Sequence, residues 1–425
     1  MPHDTSAPPN PLRLGLAANW PQFSLLVAIN AFVGAMVGVE RTALPLLASE
    51  TFHLTSASLS LSFLIAFGLV KAFSNLAAGE GMTRYGRRPV LLAGWICALP
   101  VAPLILTADS WTQVVIANIF LGLNQGLAWS ATIIMKIDLA GPRRRGLALG
   151  LNEAAGYGAV AVAAYAATVI AADHDPRAAF WLSAVIAVVG LSVSWFARET
   201  TPHAAVEATQ HSRQGTEAPS FGSTFWRTTW THRPLAVVSL SGLINQLNDA
   251  LAWGLLPAYL IIRGLEPTTV GIIAAVYPAI WALSQPGFGA LSDHVGRTPL
   301  IITGFLTQAA GLAVFAGPTD PAVLIAAATA LGLGTGMVYP TLIAVIGDHT
   351  HPGERPAAVG TYRLWRDLGY VAGALITGVV ADTINPEAAI LTIAAITALP
   401  ALMFAFTGRG SRQRGVTGRR GLRGP

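Results

Sequence analysis

The chain alternates between long apolar segments and short polar ones. Apolar runs near the ~20 residues that a membrane-crossing helix needs are bounded by Pro, Gly, Asn, Asp or charged residues. Twelve such runs are found, at 22–48, 57–79, 89–108, 112–135, 146–171, 178–197, 234–261, 267–289, 299–316, 322–346, 357–381 and 387–407. They lack the short alternation of barrel strands, and a segment in lipid must satisfy its own backbone hydrogen bonds. The pattern therefore predicts an all-α membrane protein with twelve transmembrane helices.

Composition supports this class and excludes others. Of 425 residues, 53% are hydrophobic and only 11% are charged, against ~25% charged in an average soluble domain. A mean hydropathy of +0.55 leaves too little polar surface to coat soluble cores. The single cysteine, Cys97, excludes a disulfide framework. A disordered chain and a stapled secreted domain are thereby excluded, and a soluble enzyme is disfavoured.

The basic residues are distributed by topology rather than as a nucleic-acid surface. The net charge is +5, and 20 of the 26 basic residues lie in one set of alternate loops and the termini, two in the other set and four inside spans. By the positive-inside rule, both termini are expected in the cytoplasm of a protein of the cell membrane. The polar, Pro-rich start lacks the features of a cleaved signal peptide, so span 1 is expected to direct insertion.

The spans and loops predict five parts of the chain. They are a cytoplasmic N-terminal segment (1–21), an N-terminal six-helix bundle (22–197), a cytoplasmic linker (198–233), a C-terminal six-helix bundle (234–407) and a basic cytoplasmic tail (408–425). The polar linker is expected to be mobile, and the tail to be disordered.

An internal repeat relates the two halves at an offset of 210 residues. "LGLNQGLAWSATIIMKIDLAGPRRRGLALG" begins at Leu121, and "LGLGTGMVYPTLIAVIGDHTHPGERPAAVG" begins at Leu331. The same offset superimposes "GEGMTRYGRRPVL" from Gly79 on "GALSDHVGRTPL" from Gly289. With six spans in each half, the repeats share one topology and are related by an axis along the membrane normal.

These loops resemble the motif G-x-L-A-D-R-x-G-R-R of the major facilitator superfamily, and the resemblance extends over about residues 20–407. It implies two pseudo-symmetric six-helix bundles around a central cavity, alternating access, and a cavity formed by helices 1, 4, 7 and 10. It also implies a gating role for the motif residues Gly79, Arg84, Gly86, Arg87, Arg88, Gly289, Asp293, Gly296 and Arg297. The alternative is that these arginines only set topology.

The first copy departs from the family motif at one position. Thr83 stands where the family has an acidic residue, whereas Asp293 retains the acid in the second copy. In the family, that acid helps to hold the outward-facing state by contacting the neighbouring bundle. We therefore expect either a weaker latch in the first half or a substitute such as Glu80.

Polar and aromatic residues form stripes at helical spacing on spans 1, 4, 7 and 10. A small-molecule site needs apolar walls and a few convergent polar groups. The stripes predict a substrate cavity lined by Asn30, Arg41, Asn118, Gln125, Trp129, Asn245, Asp249, Trp253, Thr335 and Tyr339. The alternative for each residue is hydrogen bonding between helices, which is common in membranes.

Ionisable residues inside spans are costly and mark functional or interhelical positions. Glu40 and Asp249 are the candidate proton carriers. Burial raises the pKa of a carboxyl group and a nearby cation lowers it, so a site that alternates between these settings can take up and release a proton. A second group of candidate interbundle charges comprises Lys71, Glu153, Arg363, Arg366 and Asp367. Lys71 and Asp367 lie at comparable depths, about 12 and 18 Å from the cytoplasmic ends of their helices. They are predicted to pair in one conformation. For Glu40 and Asp249, the alternative to proton transfer is a static salt bridge that only orients helices.

The resulting hypothesis is a secondary active transporter of a small organic solute, coupled to protons. Export of drug-like or metabolic compounds is preferred, uptake of an organic anion or sugar is the main alternative, and a non-transporting receptor is the other. The sequence has no P-loop, metal-ligand spacing or nucleophile–base set, so neither an enzyme nor a cofactor is expected. The expected partners are the lipid bilayer, the solute and protons, with no nucleic acid, for a monomer.

Overall fold

The computed structural model describes residues 12–54, 62–173, 175–211 and 220–417, and these are predominantly helical. The first half comprises α1 (Trp20–Leu46), α2 (Ser62–Tyr85), α3 (Arg87–Ala98 and Val101–Leu106), α4 (Trp111–Asn124 and Ser130–Ala140, joined by a π-helical turn), α5 (Arg145–Asp173) and α6 (Ala179–Ser194). The second comprises α7 (Arg233–Ala250 and Leu256–Ile262, joined by a π-helical turn), α8 (Pro267–Val295), α9 (Arg297–Val314), α10 (Pro321–His349), α11 (Arg355–Thr383) and α12 (Pro386–Thr417).

Ten helices in the described part of the chain are long and apolar enough to cross a membrane. The ten do not include α7 or α9, although both are helical where spans 234–261 and 299–316 were predicted. In α7, Asn245, Asn248 and Asp249 lower the hydropathy of the segment that ends at Ala250. The chain is thus a multi-pass membrane protein, while the count of twelve crossings stays a prediction.

The helices pack as two bundles with matching contacts. In the first half α1 packs against α5 and α6, and α2 against α4; in the second α7 packs against α11 and α12, and α8 against α10. The bundles meet along two seams, one between α2 and α11 and the other between α5 and α8. Adding 210 to the residues of α2 gives α8, and adding it to α5 gives α11, so the seams are equivalent. The predicted pseudo-symmetric fold is confirmed.

Glycines bring the helices of each seam into close contact. A Cβ placed on Gly79 would lie within 3.0 Å of the Pro356 carbonyl oxygen, and one on Gly289 within 3.0 Å of the Gly146 carbonyl oxygen. Gly360 and Gly150 lie opposite them and are equally restricted by Asn75 and Gln285. Small residues allow such close backbone contact between membrane helices, which explains why these glycines recur at the offset.

The loop that was expected to be mobile contains helices. Thr201–His211 is helical, and Phe221–Trp226 continues into a π-helical turn that leads to α7; residues 212–219 lie outside the described residues. The first of these helices buries Glu207, which is 1% exposed. Its carboxylate pairs with Arg145 and Arg355 between the bundles, and these ion pairs fix this part of the linker in place.

The end of the chain also differs from expectation. The twelfth span was predicted to end at 407, but α12 continues to Thr417, because extending an existing helix adds one hydrogen bond for each residue fixed. Residues 418–425 of the predicted tail lie outside the described residues.

Candidate substrate cavity and gate

The start of α1 and the turns after α2, α4, α6, α8 and α10 lie at one end of the molecule, which we name the terminal face. The Gly15 amide donates to the Leu139 carbonyl at 2.8 Å, and Gln22 Nε2 donates to the Arg198 carbonyl at 3.4 Å. Both motif loops lie at this face.

Each motif loop turns on a glycine with positive φ. Gly86 has φ +95° and Gly296 has φ +91°, a region in which side chains are strained. The following arginines then reach the end of the fourth helix of their own bundle. Arg87 Nε lies 3.1 Å from Asp138 Oδ2, and Arg297 Nε lies 3.0 Å from Asp348 Oδ2.

The same two aspartates contact arginines of the opposite bundle. Arg145 Nη1 lies 2.9 Å from Asp348 Oδ1, and Arg355 Nη1 lies 3.6 Å from Asp138 Oδ1. These pairs are equivalent at the 210-residue offset. They hold the two bundles together at the terminal face.

A linker carboxylate completes this network. Glu207 accepts hydrogen bonds from Arg145 and from Arg355, the latter with Nη2 at 2.9 Å from Oε1. All three side chains are almost fully buried. Because Arg145 and Arg355 are equivalent residues of the two halves, Glu207 bridges the bundles near their common axis. Glu207 is not among the predicted site residues, because it falls in the linker that was expected to be mobile.

The acidic motif position behaves differently in the two halves. Asp293 accepts hydrogen bonds from the amides of Gly146 at 3.0 Å and Leu147 at 3.1 Å, at the start of α5. Thr83 instead donates its hydroxyl to the Gly79 carbonyl of its own helix at 3.0 Å. The residue equivalent to Gly146 is Pro356, which has no amide hydrogen, so the first half lacks both the acid and one donor.

The other motif residues stay within the first bundle in the described structure. Arg88 donates to the Trp195 carbonyl at 2.9 Å, and the exposed Arg84 lies over the ring of Tyr85. Glu80 is also exposed.

Glu199, just after α6, caps the start of α3. Its carboxylate accepts from the Arg87 amide at 3.1 Å and the Arg88 amide at 2.9 Å. Burial would raise the pKa of Glu199, but hydrogen bonds from the Thr201 hydroxyl and from backbone amides outweigh it and lower the pKa below its usual value.

At mid-depth the two seams are closed by different chemistry. In the α2–α11 seam, Lys71 Nζ lies 3.8 Å from Asp367 Oδ2. The equivalent residues in the other seam are Trp281 and Tyr157, whose ring centroids are 3.9 Å apart. One seam therefore carries an ion pair, and the other carries packed aromatic rings.

Arg366 connects the two seams. Its Nη1 lies 2.5 Å from Asp367 Oδ1, its Nη2 donates to the Tyr157 hydroxyl at 3.1 Å, and its guanidinium lies 4.3 Å from the centre of the Tyr339 ring. Arg363 joins the same network, since its Nε donates to Asn75 Oδ1 at 2.9 Å and Asn75 donates to Asp367 at 2.7 Å.

Glu153 lies outside this interbundle network. Its Oε1 accepts from Trp129 Nε1 at 3.1 Å and from Asn152 Nδ2 at 2.6 Å, both in the first bundle. Asn152 in turn accepts from the buried Lys136 at 2.5 Å.

Aromatic rings from both bundles form a layer around Arg366. Neighbouring ring centroids lie between 3.9 and 6.4 Å apart, within the range of favourable ring packing. The layer consists of Trp129, Tyr157, Tyr277, Trp281 and Tyr339. Tyr157, Tyr277 and Trp281 were not among the predicted cavity residues.

Five predicted cavity residues make hydrogen bonds within their own bundle or helix. Asn30 donates to the Asn152 carbonyl at 2.7 Å, Gln125 to the Val33 carbonyl at 2.7 Å, and Asn245 accepts from Gln308 at 3.1 Å. Asn118 and Thr335 donate to carbonyls one turn back in their own helices. The contacts of Asn30, Gln125 and Asn245 match the alternative of hydrogen bonding between helices.

The two candidate proton carriers have different surroundings. Asp249 accepts from the Tyr277 hydroxyl at 2.5 Å and from Gln246 Nε2 at 2.6 Å. Glu40 is 1% exposed, and neither carboxyl oxygen has a hydrogen-bond partner among the described residues.

A small cavity lies between the bundles, towards the face opposite the terminal face. Its volume of about 30 Å³ suits one or two water molecules. Its lining comprises Arg41, Leu64, Phe67, Gly68, Lys71, Gln246, Asp367 and Tyr370. The Arg41 guanidinium also lies 4.4 Å from the ring centre of Trp253, so it reaches from α1 to α7. Within the described residues, no cluster of three or more His, Cys, Asp or Glu side chains is arranged to hold a metal ion.

Two similar helical bundles joined around a polar and aromatic core form an architecture that many membrane transport proteins share. The family model "Major Facilitator Superfamily" matches residues 23–243 and 238–424, and the chain belongs to this family. It is an MFS transporter, a multi-pass protein of a family that acts on small molecules across the bilayer and is generally non-enzymatic.

Individual relatives have low sequence identity to this chain or match only part of it. An uncharacterized MFS-type transporter of Bacillus subtilis (strain 168), YddS, is 24% identical over 84% of this chain and 84% of its own length. The multidrug resistance protein MdtH of Edwardsiella ictaluri (strain 93-146) is 38% identical over only 25% of this chain and 27% of its own. The crystal structure of the MFS transporter FucP in the outward conformation superimposes with a TM-score of 0.72 at 14% identity, covering 90% of this chain and 98% of FucP.

Proposed function

We propose that this protein moves a small organic solute by alternating access and couples that movement to protons, with the terminal face in the cytoplasm. The observation that carries the proposal is the pair of equivalent seams joined through Arg366 at mid-depth. They surround a core of buried charges and aromatic rings that a purely structural bundle does not need.

The contacts at the terminal face support alternating access. Arg145, Arg355 and Glu207 join the bundles through side chains, while each bundle is packed internally along whole helices. Opening this face would break these side-chain contacts and separate the glycine crossings of the two seams, while the packing inside each bundle stays in place. Rigid-body rocking of one repeat against the other is the expected motion.

The setting of Glu40 supports proton coupling. A carboxylate that is buried without a donor is strongly disfavoured and is neutralised by a proton. Arg41 is the next residue along α1, so a rearrangement that turns its guanidinium towards Glu40 would favour proton release. We propose Glu40 as the principal proton carrier. Asp249 is the second, held in this conformation by Tyr277.

The aromatic layer supports a solute with an apolar, aromatic body. The partial similarity to MdtH, which is named a multidrug resistance protein, supports export of such compounds. Uptake of an organic anion is the second candidate, because the charged side chains that line the small cavity include Arg41 and Lys71.

Purified protein in liposomes with an imposed pH gradient, presented with a solute panel, tests the proposal. We expect solute-dependent proton movement in wild type, and its direction relative to the gradient distinguishes export from uptake. Glu40→Gln should lose proton movement but retain solute exchange, whereas Glu80→Gln, at an exposed site, should match wild type. Solute binding without any flux would instead indicate the receptor alternative.

A further inference from the structure

The small cavity beside Arg41 has an unusual balance of charges. Three of its lining residues are charged, namely Arg41, Lys71 and Asp367. Asp367 is already engaged by Arg366 at 2.5 Å and by Asn75 at 2.7 Å. The two cations are less fully compensated. Asp367 is the only carboxylate in the cavity lining, and Lys71 Nζ lies 3.8 Å from its Oδ2.

Arg41 has no anionic partner among the described residues. Its Nε is buried without a hydrogen bond, and its observed contact is with the face of the Trp253 ring. A guanidinium presents five donors in a planar fork that matches a carboxylate or a similar oxyanion. Its neighbour Glu40 does not line the cavity, because adjacent residues on a helix point in different directions.

Resting on the proposed transport function, we infer that this cavity receives the anionic group of the solute, held between Arg41 and Lys71. The solute is then an aromatic organic anion, such as a carboxylate, whose ring lies against the aromatic side chains next to the two cations, Trp253 beside Arg41 and Trp129 beside Lys71. Gln246 also lines the cavity, but its Nε2 already donates to Asp249 at 2.6 Å, so Arg41 and Lys71 supply the donors of the site. Two cations and one compensated acid at the cavity surface favour an anion over a neutral or cationic compound of the same shape.

A matched set of probes isolates the charge from the shape. Radiolabelled indole-3-acetate, indole-3-acetamide and tryptamine carry the same ring with a negative, neutral and positive side chain. Exchange of each probe is measured with the full-length protein in vesicles of phosphatidylcholine alone, so that no anionic lipid head group competes for the site. We expect indole-3-acetate to exchange at least tenfold faster than either of the others.

Variants then locate the site. Arg41→Gln should reduce indole-3-acetate exchange at least tenfold, Arg41→Lys should restore part of it, and Lys71→Gln should weaken it. Arg13→Gln, at an exposed position outside the helices, should match wild type. Unfolding temperatures of all variants show whether a loss of exchange reflects misfolding, and partial recovery in Arg41→Lys separates the two directly.

An indole-3-acetate rate no higher than the indole-3-acetamide or tryptamine rate overturns the anion site, whatever the absolute rates. Unchanged discrimination in folded Arg41→Gln does the same. The transport proposal is judged separately, by whether any member of the wider solute panel moves with protons, so each can fail while the other stands. Addition of phosphatidylglycerol to the vesicles reports on lipid: a large inhibition of exchange would assign the site to the lipid head group and overturn the solute assignment.

Discussion

At the scale of single residues, the two motif copies differ in their contacts as well as in their sequence. Asp293 accepts two amide hydrogen bonds from the neighbouring bundle, while Thr83 bonds only to its own helix. Pro356, the counterpart of Gly146, has no amide hydrogen to offer. The first half therefore lacks the acid and one of the two amide donors that Asp293 uses in the second half.

We expect Asp293→Asn to favour opening of the terminal face by about 2 kcal/mol, because hydrogen bonds to a charged acceptor are worth roughly 1.5–3 kcal/mol. Thr83→Ala should change little and is the matched control. Spin labels at Tyr85→Cys and Val295→Cys, in a chain with Cys97→Ser, report the distance between equivalent exposed sites of the two bundles. Equal distance distributions in both variants would contradict the assignment.

Glu199 provides a pH-dependent prediction outside the membrane-spanning segments. Its folded-state pKa is lowered from 4.5, so its contribution to stability is present at neutral pH. That contribution decreases as the pH falls through 4.5 and is lost below the folded-state pKa. Glu199→Gln should cost about 1 kcal/mol at pH 7, as for the loss of a helix cap, and should unfold with a weaker dependence on pH below 5.

Thermal unfolding in detergent between pH 7 and pH 4 measures this effect. Glu80→Gln, which removes an exposed carboxyl in α2, is the control. If Glu199→Gln and wild type lose stability in parallel over this range, the cap does not carry the effect.

At the scale of helices, the glycine crossings set how closely the bundles can approach. Gly289 faces the Gly146 backbone so closely that a Cβ would overlap it, whereas a Cβ on Gly287, two residues earlier, has nothing within 4 Å. We expect Gly289→Ala to destabilise the closed terminal face by about 1–3 kcal/mol, as overpacking typically does. Gly287→Ala should be neutral.

The same labelled pair, together with the unfolding temperature, tests this prediction. Gly289→Ala should lengthen the distance between the labels at the terminal face. A distance unchanged from that of Gly287→Ala would mean that the seam tolerates the extra carbon.

The helices themselves could be predicted from the sequence, and the site only in part. Hydropathy located the spans, and the offset of 210 found the equivalent Trp129 and Tyr339. Tyr157 and Trp281 were missed because they align with Asp367 and Lys71, which share no chemistry with them. The offset nevertheless contained the signal, since subtracting 210 from Asp367 gives Tyr157 and adding 210 to Lys71 gives Trp281.

The stripe residues show why the rest could not be predicted. Asn30 and Gln125 fall on the same helical faces as cavity residues, yet they bond to backbone carbonyls of neighbouring helices. Periodicity gives the face of a helix, but it does not distinguish a neighbouring helix from an open lumen. That distinction depends on tertiary packing.

At the scale of the whole molecule, the linker joins the two bundles through chemistry as well as through the chain. Glu207 lies between the equivalent Arg145 and Arg355 and is buried with them. Removing one partner of a buried charge network costs roughly 3–5 kcal/mol because the remaining charges are left uncompensated. We therefore expect Glu207→Gln to open the terminal face by more than Asp293→Asn does.

The label pair at Tyr85→Cys and Val295→Cys measures this as well. Thr209→Ala, on the exposed side of the same linker helix, is the control. A wild-type distance in Glu207→Gln would show that the linker follows the bundles without holding them.

The unlike chemistry of the two seams has a mechanical consequence. Water that enters between α2 and α11 can hydrate Lys71 and Asp367, so hydration replaces the ion pair that is lost. Water between Tyr157 and Trp281 makes no interaction that replaces the lost contact between the rings. Under the same solute and proton conditions, the charged seam is therefore expected to part first and the aromatic seam to act as the hinge. A molecule built from two equivalent halves would then rock asymmetrically.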